Sequence, residues 1–475
     1  MKIKRIGIIL ILCGIFLLLV TIYLYPPFSL PGSQQNPATA SYFQTEQMML
    51  TSKETQIFPQ EFYVETDTQM FATQNTDEQV FMMTFQKGTH YQKSFVFKKT
   101  LTSEEYIGYA SDNNVLGLWD IPKAIYQKPA LTSTGYTSEL GDMQDALFST
   151  KTTELVSQGH NGHDTIVVII DDFPSSDSFY DYIPVSWNDR IIHYPDVPDS
   201  GTHGIMTAGI VGGVSPNTKL YLIEFGDPIQ DFQTILDLKQ EYPNYDIISS
   251  NSYVYSGTAY YDSNHPVHRK ILEVADNDIA VLFGAGNWAH VGEHNPQWTF
   301  EVGYDTRNYM FERDSEIGYP AVFDEVISVA GCNAFCDKIL SYSSMGRGVD
   351  NNDEPDISAP THHVYEYSPY EITMGTSASC PFMAGICANI LSGKEMDTDR
   401  LVGSIHSYST DRGNNGFDDE FGFGVVDAKN IFDNYDNWVP LPEENSFYLY
   451  ISSACMLGIG GVLFSKDKIP YLRRN

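Results

Sequence analysis

Four polar residues, separated by long stretches of chain, have side chains that together could perform nucleophilic catalysis. A serine hydroxyl attacks a carbonyl carbon only when a base removes its proton, and a carboxylate must orient that base. The oxyanion that forms needs a fixed hydrogen-bond donor. The chain supplies a carboxylate, an imidazole, an amide and a hydroxyl, in that order, at Asp171, His203, Asn287 and Ser377.

The predicted secondary structure explains how these four residues could lie close together in space. From about residue 151, short apolar runs alternate with helical stretches, which is typical of buried parallel strands joined by helices. Asp171 and Asn287 each follow such a run, and Ser377 precedes a predicted helix. Because the working residues of such sheets lie at the carboxyl ends of the strands, we expect these groups along one edge. The runs interpreted mainly as strands are TIVVII (165–170), IMTAGIVGG (205–213), KLYLIEF (219–225), YDIISS (245–250), IAVLFGAG (279–286) and EVISVAG (325–331).

The segments around the four residues resemble the subtilisin-like peptidases, or subtilases, in which Asp, His and Ser follow one another in this order. The resemblance covers roughly residues 150 to 434 and extends beyond the four positions. It implies a doubly wound, mainly parallel α/β sheet with helices on both faces. The further similar segments are GYPAVFDEVISVAG (318–331), SYSSMG (341–346), PDISAP (355–360) and FGFGVVDA (421–428).

The resemblance also implies a role for each position. Ser377 would be the nucleophile, His203 the general base and then acid, and Asp171 the carboxylate that orients the imidazole. The Asn287 amide and the Ser377 backbone N–H would form the oxyanion hole. The chain is thereby expected to be a serine endopeptidase that cuts peptide or protein substrates through an acyl-enzyme and requires no cofactor. The residues expected to contact the substrate are Ser252, Tyr253, Gly284 and Gly286.

Departures from the family pattern leave alternatives open. Asp172 stands where the family has Ser or Thr, so it rivals Asp171 as the carboxylate. A catalytically inactive surface binding module with the same fold is the second hypothesis for function. A third is a metalloprotease that uses HVGEH (290–294), although Gly292 favours a loop over the helix that such a site needs. Pro381 is expected in the first turn of the helix that follows Ser377.

The charge and composition of the chain limit the classes of partner that it can bind. The net charge of −33, from 61 acidic and 28 basic residues, excludes a nucleic-acid binder because phosphate backbones require Lys and Arg. The acidic runs at 350–354 and 411–420 could bind structural Ca²⁺ or remain solvated loops. Cys332 and Cys336 could form a disulfide across a short loop or remain thiols.

Apolar segments near both termini have the length and flanking charge of membrane spans. Twenty helical residues at 6–25 would reach about 30 Å, which matches a bilayer core. Lys and Arg flank this segment and the one at 447–464, which predicts cytoplasmic termini and a peptidase domain outside the cell. The second segment could instead be a buried core helix.

The predicted organisation follows from these assignments, and the resemblance suggests a propeptide for the module that precedes the peptidase domain. The parts are an N-terminal transmembrane signal anchor (6–25), a linker (26–47), a small β-rich or α+β module (48–150), the peptidase domain (151–434), a linker (435–446) and a C-terminal transmembrane helix (447–464).

Overall fold

A computed structural model describes residues 59–76, 79–87, 90–125, 140–196, 201–256, 264–287, 317–346, 352–370 and 372–440. Almost all of them belong to one compact unit that starts at Glu61. Within these ranges, every helix is too short or too polar to cross a bilayer. The predicted spans at 6–25 and 447–464, the first linker, the HVGEH segment and residues 441–446 of the second linker lie outside the described residues. The start of the second linker is described, and it is not a free linker there, because Tyr435–Asn437 form a 3₁₀ turn and Tyr435 is buried.

The first part of this unit is a small module of mixed helix and strand. Two of its strand pairs, β1 with β4 and β2 with β3, are antiparallel, and the order in the four-stranded sheet is β2-β3-β1-β4. The α+β alternative for this region therefore fits the structure. The elements are β1 (Gln60–Thr66), α1 (Gln69–Asn75), β2 (Val80–Lys87), β3 (His90–Leu101), α2 (Ser103–Ala110) and β4 (Val115–Asp120).

Two very short strands and two helices lead from this module into the larger domain. Met143, Ala146 and Leu155 from these helices pack into the same core as the central sheet, so the packed domain includes residues before 151. The elements are β5 (Lys123–Ile125), β6 (Gly141–Asp142), α3 (Met143–Ser149) and α4 (Thr152–Ser157).

The larger domain is built on a seven-stranded sheet, counted over the described residues. Its order is β14-β13-β12-β10-β7-β9-β8, and every neighbouring pair is parallel. The expected parallel α/β architecture is thus confirmed. The strands are β7 (Thr165–Asp171), β8 (Ile191–His193), β9 (Lys219–Glu224), β10 (Asp246–Asn251), β12 (Ala280–Gly284), β13 (Ile327–Cys332) and β14 (Ile357–Pro360).

Helices cover both faces of this sheet. Alternate residues of β7 enter two cores, because side chains of a strand point to opposite faces. Val167 and Ile169 pack with the helices at 203–214 and 376–391, whereas Val168 packs with those at 228–241 and 266–275. The remaining elements are α5 (Ser176–Tyr180), α6 (His203–Val214), α7 (Pro228–Glu241), α8 (Pro266–Ala275), α9 (Thr376–Leu391), α10 (Thr398–Tyr408), α11 (Ala428–Asn434), the strands β11 (Val254–Ser256) and β15 (His363–Val364), and the 3₁₀ turns Val185–Trp187 and Tyr435–Asn437.

One predicted strand is wrong. The run IMTAGIVGG at 205–213 lies inside helix α6. This helix is buried on nearly every side, so it lacks the polar stripe that distinguishes a surface helix from a buried strand.

Candidate active site

Helix α6 and strand β7 bring an imidazole and a carboxylate into contact. Asp171 is the last residue of β7 and is fully buried, and His203 is the first residue of α6. The Nδ1 atom of His203 lies 2.8 Å from Asp171 Oδ1 and 3.1 Å from Oδ2. Thr207, one helical turn after His203, donates its hydroxyl to Asp171 Oδ2 at 2.9 Å. Thr207 was not among the predicted site residues. Its spacing of four residues from His203 is the sequence signal that would have placed both on one face of a helix.

The geometry distinguishes Asp171 from its rival Asp172. The side chain of Asp171 contacts the imidazole, whereas Asp172 Oδ1 accepts the backbone N–H of His203 at 2.9 Å. The backbone N–H of Asp172 donates to Asp171 Oδ1 at 2.8 Å. Asp171 ends β7 and Asp172 is the first residue beyond that strand, so the two side chains take different partners.

The imidazole is more basic than an ordinary histidine. Burial by itself lowers the pKa of His203, but the Asp171 carboxylate and, after it, Asp172 outweigh that effect, so the pKa is raised. Burial raises the pKa of Asp172, and the nearby Asp171 charge adds to that rise. Both effects follow from placing two carboxylates beside one imidazole in a poorly solvated place.

Ser377 is the second residue of the long buried helix α9, which Thr376 begins directly after Gly375, a glycine with φ of +81°. Its hydroxyl donates to the carbonyl of Ser252 at 3.2 Å, and the Ser252 hydroxyl donates to the Ser377 carbonyl at 3.0 Å. Pro381 accounts for the second bond. It lies in the second turn rather than in the expected first turn, and it has no N–H to donate to the carbonyl four residues earlier, which is that of Ser377.

The amide of Asn287 is fixed beside the start of the same helix. Its Oδ1 accepts the backbone N–H of Thr376 at 2.9 Å. The Thr376 hydroxyl accepts the backbone N–H of Gly286 at 3.0 Å, and a Cβ on Gly284 would lie 3.0 Å from the Thr376 carbonyl oxygen. This bond fixes the orientation of the Asn287 amide, whose NH₂ group is the donor side of that side chain.

The candidate residues share one edge of the sheet. Asp171 ends β7, Ser252 follows the adjacent strand β10, and Asn287 follows the next strand, β12. Helices α6 and α9, which carry His203 and Ser377 at their first turns, pack together, as shown by the 2.9 Å bond from Asn389 Nδ2 to the Val214 carbonyl. The structure therefore places a hydroxyl, an imidazole, a carboxylate and an amide donor at one edge, which are the components of acyl transfer.

Tyr253 is placed differently from the expectation. Its side chain is buried, and its ring centroid lies 4.7 Å from that of Phe225 and 5.6 Å from that of Phe283. Its hydroxyl donates to Asn251 Oδ1 at 3.1 Å. The ring of Tyr253 is thus part of the core in this structure.

A segment of the chain itself lies beside the candidate site. Strand β5 pairs antiparallel with β11, with Ile125 opposite Val254 and Lys123 opposite Ser256. Val254 lies two residues after Ser252, which contacts Ser377. Because β5 is antiparallel to a strand that leads away from Ser252, the chain advances toward Ser252 as it approaches Ile125.

One of the two acidic runs and the neighbouring pair of cysteines can be described in part. Asp418 accepts the backbone N–H groups of Asn414, Glu420 and Phe421 at 2.8–2.9 Å. Cys332 and Cys336 are buried thiols in one small apolar cluster, and burial followed by the Cys336 contact raises the pKa of Cys332. Within the described ranges, one group of three His, Cys, Asp or Glu side chains is close enough together to hold a metal ion. It consists of Asp171, Asp172 and His203, and their mutual hydrogen bonds account for that proximity.

Comparison with known proteins identifies a family. The sequence profile of the subtilase family matches residues 102–424 of this chain. Solved structures also match this chain, and two of these matches are the following. A lanthipeptide protease is 17% identical, with a TM-score of 0.45, and the match covers 62% of this chain and 99% of that protein. The prenylagaramide maturation protease PagA is 15% identical, with a TM-score of 0.45, and the match covers 60% and 98%.

Proposed function

Because this chain belongs to the subtilase family, we propose that it is a serine endopeptidase with Ser377, His203 and Asp171 as its triad. The observation that carries the proposal is the pairing of His203 Nδ1 with the buried Asp171 carboxylate, at 2.8 Å, on the sheet edge where Ser252 accepts the Ser377 hydroxyl. A neutral imidazole whose Nδ1 donates to a carboxylate has its basic lone pair on Nε2. That nitrogen is then the atom that takes the hydroxyl proton.

Ser377 attacks after its hydroxyl proton is redirected. The hydroxyl now donates to the Ser252 carbonyl at 3.2 Å, so the O–H bond must turn away from that carbonyl to donate its proton to His203. The oxygen then adds to the substrate carbonyl carbon, and His203 passes the proton to the departing amine. Water hydrolyses the acyl-enzyme by the same route in reverse, with His203 again as the base.

Asn287 supports the developing oxyanion. Its Oδ1 is held by Thr376 N–H at 2.9 Å, so its NH₂ group is fixed before the substrate arrives. The backbone N–H of Ser377 belongs to the first turn of α9, where amides have no partner within the helix. Donors that are already in place avoid the cost of reorienting during the reaction.

The substrate is proposed to bind as an extended strand along β11. An unpaired strand edge recognises peptide backbone by completing its hydrogen bonds. In the full-length chain β5 takes this position, which supports a propeptide role for the α+β module: it blocks the cleft and is then cut off. We expect the mature N-terminus to fall between Ile125 and Leu140, downstream of the residue paired with Val254. Edman sequencing of the purified protein tests this expectation.

The proposed location is the outer face of a membrane. The segments 6–25 and 447–464 would anchor the chain, with both termini in the cytoplasm. If the module is removed, the C-terminal segment alone would retain the mature enzyme. Protease protection of closed vesicles from expressing cells, probed with tags at each terminus, distinguishes this orientation from its reverse.

The activity is tested by incubating full-length protein with an unstructured protein such as casein and analysing the fragments by mass spectrometry. Wild type is expected to cut internal peptide bonds, and Ser377→Ala is expected to lose at least about a thousandfold in kcat. Ser392→Ala is the matched control, because this buried hydroxyl donates to a carbonyl at the far end of the same helix. A folded wild type that binds peptides without cutting them would support the binding module instead.

A further inference from the structure

Helix α6 begins at His203 without a capping side chain of its own. The residue before it, Thr202, has φ of −125° and ψ of 2°, and its side chain accepts no hydrogen bond from the first turn. The first amides of a helix have no carbonyl partner within the helix, and they need an acceptor from elsewhere. The position of the imidazole depends on that acceptor, because His203 is itself the first helical residue.

Asp172 supplies the acceptor from the end of the neighbouring strand. Its Oδ1 accepts the N–H of His203 at 2.9 Å, and its backbone carbonyl accepts the N–H of Gly204 at 2.9 Å. A Cβ on Gly201 would lie 1.9 Å from Asp172 Oδ2, so a larger residue at that position would force this carboxylate to move. The segment that leads into α6 therefore passes directly beside the half-buried carboxylate.

We propose that Asp172 is a positioning residue for the reaction, whose carboxylate fixes the start of α6 and thereby holds His203 against Asp171. The inference rests on the proposed peptidase function. Asp171 aligns the ring through its Nδ1 atom, whereas Asp172 fixes the backbone that carries the ring. A negative charge at this end of the helix is also favourable, because the first turn carries partial positive charge.

The second carboxylate also acts on the charge of the imidazole. The Asp172 charge raises the pKa of His203 in addition to the larger contributions of Asp171. Two other titratable groups lie next to this segment in the described residues. The Tyr370 hydroxyl lies 3.4 Å from Thr202 Oγ1, and Glu224 Oε2 accepts the backbone N–H of Phe173 at 2.7 Å. Burial raises the pKa of Tyr370, so this group stays neutral while His203 titrates.

Two substitutions of Asp172 separate the effect of its hydrogen bond to the start of α6 from the effect of its negative charge. Asp172→Asn keeps an oxygen acceptor of the same shape, and Asn caps helices about as well as Asp. We expect it to retain kcat/KM on the pH plateau within about threefold, while the acid limb of the pH dependence moves to lower pH. That displacement is expected to shrink in 1 M salt, because Asp172 is only half-buried. Asp172→Ala also removes the acceptor, and we expect a loss of about tenfold or more in plateau kcat/KM from a misplaced imidazole.

Asp397→Ala is the matched control, because Asp397 caps α10 by accepting the N–H of Arg400 at 2.9 Å. It is expected to lower the melting temperature without moving the acid limb. An Asp172→Asn variant whose acid limb coincides with that of wild type would overturn the electrostatic part. Full plateau activity in a folded Asp172→Ala variant would overturn the positioning part. Either result, obtained with an active wild type, is distinct from failure of the proposed function, in which wild type itself cuts nothing.

Discussion

At the scale of single residues, the site depends on how one buried carboxylate is held. Asp171 accepts hydrogen bonds from the backbone of Asp172 at 2.8 Å and from the hydroxyl of Thr207 at 2.9 Å, in addition to its contact with His203. A buried charge is costly unless such bonds compensate for lost water. Because Thr207 lies on the same helix as His203, this carboxylate and the imidazole are constrained as one unit.

The raised pKa of His203 predicts the pH dependence of the reaction. The base must be neutral, and protonation removes it as pH falls through the raised pKa, so the acid limb of kcat/KM should lie above the pH of about 6.5 usual for histidine. Replacing Asp171 by Asn should move this limb to lower pH and reduce kcat on the order of ten-thousandfold. A pH series of kcat/KM on a peptide substrate measures both effects. A limb well below the ordinary histidine value in wild type would contradict this assignment.

Asn287 gives a second prediction at this scale. Replacing it by Ala should lower kcat by about 100- to 1,000-fold and leave KM nearly unchanged, because the amide donates only when the oxyanion forms. Steady-state kinetics on the same substrate test this. A loss of only a few-fold in kcat would mean that another group stabilises the oxyanion.

Site residues whose position depends on their sequence neighbours could be predicted, whereas those whose position depends on a distant part of the chain could not. Asp171 ends a strand, Asn287 follows one and Ser377 lies in the first turn of a helix, so local patterns could place them at one edge. The role of Asp172 could not be predicted in this way, since it depends on the approach of the chain at Gly201, 29 positions later. Local patterns also could not tell which of the two adjacent aspartates contacts the imidazole, and in the structure this is Asp171.

At the scale of elements, the two helices that carry the hydroxyl and the imidazole are packed with little room. A Cβ on Gly385 of α9 would lie 2.7 Å from the Cβ of Val214 at the end of α6. Protein interiors respond to even one added methyl group because they are close-packed. Glycine at this position therefore sets how closely the two helices approach.

This packing predicts the effect of one methyl group. Gly385→Ala should destabilise the protein by about 1–3 kcal/mol, because α9 or α6 must shift. Gly108→Ala is the control, since a Cβ there meets nothing within 4 Å in helix α2. Alanine should stabilise that helix by about 0.5–1 kcal/mol through its higher helix propensity. Thermal unfolding of both variants measures the difference, and equal melting temperatures would contradict the packing argument.

Periodicity predicted most strands of the sheet but failed for α6. The strands that contain TIVVII and YDIISS are short, apolar and bounded by turns, and they lie within one or two residues of the prediction. The segment at 205–213 is apolar throughout and carries three glycines, which suits a strand pattern equally well. Only its burial between the sheet and α9 shows why a helix needs no polar face there.

At the scale of the whole molecule, the α+β module is attached to the sheet domain through buried polar contacts. Glu65 of β1 pairs with Arg269 of α8 at 2.8 Å, and the Trp119 indole donates to the same carboxylate at 2.9 Å. Tyr63 donates its hydroxyl to Asp227 at the start of α7 at 2.9 Å. These contacts lie on helices that flank the sheet, and sequence patterns gave no sign of them because each joins residues far apart in the chain.

The buried ion pair predicts that removing the Glu65 side chain strongly destabilises the docked α+β module. In a Ser377→Ala background, which keeps the module uncut, Glu65→Ala should destabilise the docked module by about 3–5 kcal/mol because it leaves Arg269 buried without its partner. Glu61→Ala is the control on the same strand, where an exposed ion pair with Lys98 at 3.2 Å contributes little. Hydrogen exchange of β1 and β4 should rise in the first variant only. Equal exchange in both would show that the ion pair does not hold the module.

The central claim is that Ser377 is a nucleophile activated by His203, and covalent labelling tests it most directly. Full-length protein is treated with a fluorophosphonate, digested and mapped by mass spectrometry. The account predicts one phosphonylated peptide that carries the adduct on Ser377, with labelling lost in Ser377→Ala and greatly slowed in His203→Ala. Labelling that persists in Ser377→Ala, or a folded wild type that remains unlabelled while still cutting casein, would contradict it.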